Sequence, residues 1–375
     1  MAEIDDTLPN ETITDEAFVE QEVTVPNEEM EESSEGVEVT MDEEGGAQID
    51  FDPKAEGLES QDHFSNLAEI MEDKYLGELG STLFDQYTEY KESRADWENT
   101  YREGLELLGF KYERRTEPFR GASGVNHPVL AEAVTQFQAQ AYKELLPADG
   151  PVRTQILGDI SNEKQDQAHR VKDFMNYQIM DQMPEYEPEF DQMLFYLPLS
   201  GSTFKKIYYD DLLGRAVSKF VPADDLIVPY SANSLEDAEA IVHVIRMSEN
   251  EIRKQQVSGF YKDVEVGNPP VTSNELKDTE LKLEGITKNS NQDQFNLLEM
   301  HVDLDLEGFE DMGQDGEPTG IKLPYIVTIL ESTNEILSIR RNYTEDDPLK
   351  EKIKYFVQFK FLPGTGFYGF GLIHM

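Results

Sequence analysis

The residues in this chain that come nearest to a chemical constellation lie in FRGASGVNHPVL, Phe119–Leu130, where Ser123 and His127 stand among glycines ahead of a helix-like run. A hydroxyl beside an imidazole is the pairing of a nucleophile with its general base. Glycines that lead into a helix start are the pairing of a phosphate cradle, because the first helical amides point at the ligand. The spacing fails both strict forms. GASG at 121–124 is one residue short of the G-x-S-x-G elbow, since Val125 stands where glycine is required, and RRTEPFR before it does not have the pattern of a buried parallel strand. No lysine follows to complete a P-loop, and G-x-G-x-x-G is absent. The stretch therefore reads as a hinge: Gly121 and Gly124 let the chain turn, Pro128 starts a helix, and Ser123 and His127 are bystanders. A hydrolase using Ser123 and His127 is the alternative enzyme reading.

Other candidates are weaker. DLDLEG, Asp303–Gly308, begins like a calcium loop, but the fifth position is Glu307 and the twelfth, which must supply a bidentate glutamate, is Gln314. The six histidines, at 63, 127, 169, 243, 301 and 374, form no pair at helical zinc-binding spacing; His243 and His301 lie in strand-like runs and read as core or sheet-face residues. With no cysteine, thiolate metal sites and disulfides are excluded. Met175, Met180, Met183 and Met193 read as adaptable core packing. No catalytic, cofactor-binding or metal residue is assigned, and no cofactor is expected.

Charge narrows the partners. The 375 residues carry a net charge of −45, and residues 1–60, with 21 acidic residues against Lys54 alone, hold −20 of it. That first segment has few bulky residues and no period of 2 or 3.6, so it reads as a disordered acidic arm. The remaining −25 is still acidic, whereas a protein that grips duplex DNA broadly needs clustered Lys and Arg. There is no signal-peptide pattern at the amino terminus and no apolar run long enough to span a membrane.

The elements that must position these residues follow from periodicity. Leu83, Tyr87, Tyr90, Trp97, Tyr101, Leu105 and Leu108 recur at helical spacing and predict one helix over 79–109. A second runs from Pro128 to Leu146, with Leu130, Val134, Phe137, Ala141 and Leu145 as its stripe. A third spans 162–183, with Val171, Phe174, Met175, Ile179 and Met183 facing inward and Asn162 and Gln165 resembling a capping box. EPEFDQMLFYLPLSGS is helical until Pro198. The period then changes. TFKKIYY and RAVSKFV flank DDLLG as a hairpin; DDLIVP and AEAIVHVIRM are strands; Ser248 and Glu251 cap a helix over ENEIRKQQV; strands follow near NLLEMHVDLDL, LPYIVTIL, EILSIRR and IKYFVQFKF. Helices first and antiparallel strands second give an α+β fold. The expected organisation is an arm at 1–60, a helical then mixed region at 61–258, a polar insertion at 259–295 and a β-rich region at 296–375.

Three segments, in this order, then carry a resemblance: RRTEPFRGASGVNHPVLAEAVTQFQAQAYKELLPADGPVRTQILG (114–158), VPADDLIVPYSANSLEDAEAIVHVIRMSENEIRK (221–254) and LPGTGFYGFGLIHM (362–375). Together, over about residues 65–375, they resemble the wing region of tailed-bacteriophage portal proteins, the head–tail connectors. Each motif is moderately specific; their order makes the case. The resemblance implies a structural, non-enzymatic protein that assembles in the host cytoplasm as a ring, typically a dodecamer, at one capsid vertex of the virion. Double-stranded DNA passes through such a ring during packaging and ejection without sequence-specific binding. The implied protein partners are the terminase large subunit, major capsid and scaffold proteins, and tail or adaptor proteins; no membrane is involved. An acidic lining would suit a conduit in which phosphates must slide. Arg114, Arg115 and Arg120 are candidates for pairing with acidic neighbours in the same subunit or the next, each exposed pair contributing about 0–1 kcal/mol. In the family, stem helices, a motor-facing clip and a crown follow the region seen here, so the aromatic and glycine run at the end predicts a chain that continues, and no channel-lining position can be transferred. A monomeric acidic adaptor that binds a basic partner through residues 1–60 is the remaining alternative.

Overall fold

The computed structural model describes residues 38–41, 47–50, 63–108, 119, 127–210, 213–267, 279, 294–313, 317–364 and 366–375. The chain divides into two units, Met1–Gln61 and Asp62–Met375. In the first, β1 (Glu38–Met41) pairs antiparallel with β2 (Ala47–Asp50), Val39 opposite Ile49. The rest of the expected acidic arm lies outside the described residues, as do residues 268–278 and 280–293 of the expected 259–295 insertion.

The second unit is α+β, helices first. α1 (Asp73–Ser93) and α2 (Ala95–Glu106) bury Leu83, Tyr87 and Tyr90, then Trp97, Tyr101 and Leu105. These are the residues of the predicted single stripe, but the helix breaks at Arg94, whose backbone leaves the helical region (φ −105°, ψ 7°). α3 (Val129–Leu145) begins directly after Pro128, as the fixed proline φ favours, and buries Ala131 and Val134, while Leu145 at the far end of the expected stripe is exposed.

α4 (Asn162–Tyr177) departs further from expectation. It is capped by Ser161, whose hydroxyl accepts from the Lys164 amide, rather than by Asn162, and it runs into a π-helical turn at Gln178–Gln182 instead of continuing to Met183. None of its residues is buried; Val171, Phe174 and Met175, expected inward, face solvent. α5 (Tyr186–Ser200) passes Pro198 by two residues, since the ring removes only the bond to the Leu194 carbonyl, and stops at Gly201 in the left-handed region (φ 84°).

The strands are β3 (Ser202–Asp210), β4 (Arg215–Pro222), β5 (Leu226–Ile227), β6 (Ala240–Ser248), β7 (Gln294–Leu304), β8 (Leu323–Leu330), β9 (Glu335–Arg341) and β10 (Phe356–Lys360). They form two antiparallel sheets, β10-β3-β4 and β5-β6-β7-β8-β9, each drawing strands from both sides of the 259–295 segment. The Ser248–Glu251 capping box starts α6 (Glu249–Val257), as expected.

Alternation along β7 explains the layering. Leu298, Met300 and Val302 point to one face and join Leu76, Leu83 and Tyr87 of α1 in one core. Phe295 and Leu297 point to the other face and pack with Ile252 of α6 and Tyr261. Farther along that second face come Glu299 and His301, opposite the three-stranded sheet. A separate core joins Trp97, Tyr101 and Val134 to Phe204, Val221, Leu226 and Tyr368.

Candidate functional site

Three arrangements of polar groups in the interior involve buried charges on the sheets and at the α1–α2 break. In the first, Lys206 of β3 reaches across to β7, its Nζ 2.5 Å from Glu299 Oε1 and 2.7 Å from Oε2. Period-two spacing places Glu299 and His301 on the same face, and His301 Nε2 lies 3.0 Å from Glu299 Oε1. His243, cross-strand to Glu299 in the β6–β7 ladder, presents Nδ1 at 3.7 Å, outside direct hydrogen-bond reach. The rings of Phe356 and Tyr355 stand edge-on to His301 and close the cluster. Burial pushes the Glu299 carboxyl up, but the Lys206 ammonium and the His301 contact outweigh it and hold the group well below the usual carboxylate range. Burial pulls the His301 imidazole below its ordinary value against the attraction of Glu299. At neutral pH the centre is therefore an ammonium–carboxylate pair flanked by a neutral His301.

The second arrangement is built on Arg94 at the α1–α2 break. Its Nη1 donates to the carbonyls of Ala223 (2.8 Å) and Leu226 (3.0 Å) and to Tyr368 Oη (3.0 Å), and its Nη2 donates to the Asp224 carbonyl (2.8 Å). Glu98, one helical turn on, neutralises it at 2.6 Å. Tyr368 in turn donates to the Leu226 carbonyl and accepts from the Val228 amide. The buried guanidinium, whose two terminal nitrogens meet carbonyls, a hydroxyl and a carboxylate while its Nε has no partner, ties α1, the β4–β5 turn and the terminal aromatic run together.

The third is Lys205, next to Lys206 but on the opposite face of β3. Its side chain is 4% exposed, its Nζ has no hydrogen-bond partner, and it sits 3.9 Å from the centre of the Tyr186 ring and 5.1 Å from that of Phe190. Burial brings its ammonium down to about 8.

A cleft of about 350 Å³ lies between α4 and the 147–154 segment, with Arg153, Thr154, His169 and Lys172 beside Asp149. Asn176 of α4 holds that segment: its Oδ1 accepts from the Val152 amide at 2.9 Å. Among the described residues no group of three potential metal ligands comes together, and Asp303–Gly308 forms the end of β7 and a turn.

Ser123, Gly121, Gly124, Arg114, Arg115 and Arg120 lie outside the described residues. His127 is exposed, and Pro128 stands at the cap of α3, where its carbonyl accepts from the Glu132 amide. His243 and His301 are sheet-face residues as expected; their convergence on Glu299 is not evident from spacing in any one segment. Two signals did exist: the pair of lysines inside the strand TFKKIYY, and Glu-x-His at strand period in β7. Neither a protein-family model nor a curated protein sequence matches the chain. Among the described residues no helix is long and apolar enough to cross a membrane.

Proposed function

We propose that this chain is a subunit of a ring-forming head–tail connector, the portal of a tailed bacteriophage, and acts as a structural conduit for double-stranded DNA rather than as an enzyme. The observation that carries the reading is α4: a sixteen-residue helix with no buried residue, on which Val171, Phe174 and Met175 are exposed, offers apolar surface for a neighbouring subunit.

The segments that resemble connectors also have structural employment. Within 221–254, Arg246 and Asp225 make a bidentate pair at 2.9 and 2.6 Å that fastens β5 to β6. Between 221–254 and 362–375, Tyr368 joins the Leu226 and Val228 backbone. The glycines of the last segment permit close backbone approach: a Cβ on Gly369 would meet the Gly201 carbonyl oxygen at 2.5 Å, and one on Gly371 the Leu199 carbonyl oxygen at 2.2 Å. These contacts tie the segments to one another, which suits a ring subunit under packaging load. On this reading the terminase large subunit, capsid and scaffold proteins and tail or adaptor proteins dock on the assembled ring.

Sedimentation velocity on the protein expressed from its complete reading frame, at several salt concentrations, tests the proposal. One large discrete species is expected. A monomer at every concentration and salt would reject the connector and return the acidic-adaptor alternative.

A further inference from the structure

We propose that the cleft between α4 and the 147–154 segment binds the phosphate group of a small molecule, held by Arg153, Lys172 and His169. The site is built within a single chain, so the inference stands apart from the connector reading.

The segment is fixed to α4 at three residues, and none of the ties uses a cation. Asn176 accepts from the Val152 amide at 2.9 Å and donates to the Asp149 and Val152 carbonyls at 3.3 Å each. The Thr154 hydroxyl donates to the Ala168 carbonyl at 3.1 Å. Gly150 allows this close fit: its φ is +88°, and a Cβ there would run into the Asn176 side chain. With Val152 and Thr154 both held, the backbone that carries Arg153 is set before a ligand arrives, and little ordering cost remains.

Lys172 and His169 line the other wall, one turn apart on α4. Lys206, Arg215, Arg246 and Lys350 all have a carboxylate partner. Arg153, Lys172 and His169 have none among the described residues, in a chain with 77 acidic and 32 basic residues. Asp149 is the one carboxylate among the lining residues, and it pairs with neither cation. At about 100° per residue, Asp166 and Asp173 lie past His169 on the side of α4 away from Lys172, with Glu163 farther round, and none of them lines the cleft. Two fixed cations against one carboxylate leave the cleft positive.

A phosphate suits this set better than a carboxylate. Its nearly two negative charges match two cations that stand on different walls, and its oxygens can meet both at once, whereas the Arg153 fork alone would satisfy a carboxylate. The His169 ring supplies an N–H donor in either charge state. At about 350 Å³ the cleft is at the small end of ligand sites, which fits pyrophosphate or the phosphate end of a nucleotide.

Isothermal titration calorimetry on the full chain at physiological salt tests the site, with pyrophosphate, adenosine monophosphate and acetate as probes. A phosphate probe is expected to bind once per chain and acetate not to bind. Tighter binding of adenosine monophosphate would identify a nucleotide as the source of the phosphate, and tighter binding of pyrophosphate a free phosphate compound. Arg153→Gln and Lys172→Gln are each expected to weaken binding roughly tenfold, with unchanged thermal melts because neither side chain is hydrogen-bonded to another described residue. Asp149→Asn is expected to tighten binding roughly threefold by removing the opposing charge. No binding of either phosphate probe, equal binding of acetate, or binding unchanged in the Arg153→Gln, Lys172→Gln double variant would overturn the inference. None of these outcomes bears on ring assembly, so the connector reading stands or falls separately.

Discussion

Lys206 on β3 meets Glu299 on β7 across the two sheets, with both carboxylate oxygens within 2.7 Å of its ammonium. It is a charge pair placed where two apolar sheet faces would otherwise meet, and it fixes the register of one sheet over the other. Removing two charges from water costs several kcal/mol, so the pair gives specificity of docking more than net stability.

Removing one partner is the costly change. Lys206→Met is expected to destabilise the fold by about 3–5 kcal/mol in urea unfolding, because it strands the Glu299 charge. Adding Glu299→Leu is expected to recover more than half of that loss. A double variant no more stable than the single one would contradict this account of the pair.

The same centre sets the acid limit of the fold. His301 and Glu299 both have folded-state values below their ordinary 6.5 and 4.5, so the unfolded chain binds protons first as pH falls. The contribution is complete above the unfolded values and is lost on acidification. The contribution of this centre should therefore be flat above about pH 7, decline from about 6.5, and decline more steeply below about 4.5. His301→Gln should flatten the upper part of that decline in denaturant titrations across pH; an unchanged slope would show that His301 is not its source.

Lys205 has the opposite consequence. With a folded-state value of about 8 against 10.5, its buried ammonium penalises the fold below pH 8, and the penalty disappears between 8 and 10.5 as the amine is neutral in both states. Lys205→Met should raise the melting temperature at pH 7, with the gain shrinking toward pH 10. A loss of stability at pH 7 would mean that the cation–ring contacts with Tyr186 and Phe190 outweigh burial.

The glycine run gives a paired comparison. Gly371→Ala forces a Cβ to 2.2 Å from the Leu199 carbonyl oxygen and is expected to cost about 1–3 kcal/mol. At Gly77, in α1, nothing lies within 4 Å of the added Cβ, and Gly77→Ala should be neutral or stabilising by up to about 1 kcal/mol. Equal effects in thermal melts would contradict the close approach of the terminal run to α5.

The strands and the capped helix α6 were legible because each depends on signals within one segment: apolar, β-branched runs in β6 to β9, turn residues between β3 and β4, and Ser248 with Glu251. The break at Arg94 was not, since the apolar stripe continues across it and the carbonyls that hold the guanidinium lie about 130 residues away. α4 was misread for a related reason. Its spacing is that of an amphipathic helix, and spacing alone does not say what an apolar stripe packs against. The Lys206–Glu299–His301 centre joins strands that neighbour each other only after the two sheets stack, so its members look like ordinary strand residues until β3 and β7 are brought together.

Negative-stain electron microscopy of the protein expressed from its complete reading frame decides whether the chain is a connector subunit. Closed rings of one symmetry with a central hole are expected. Single particles of monomer size, at high concentration and across several salts, would contradict that reading.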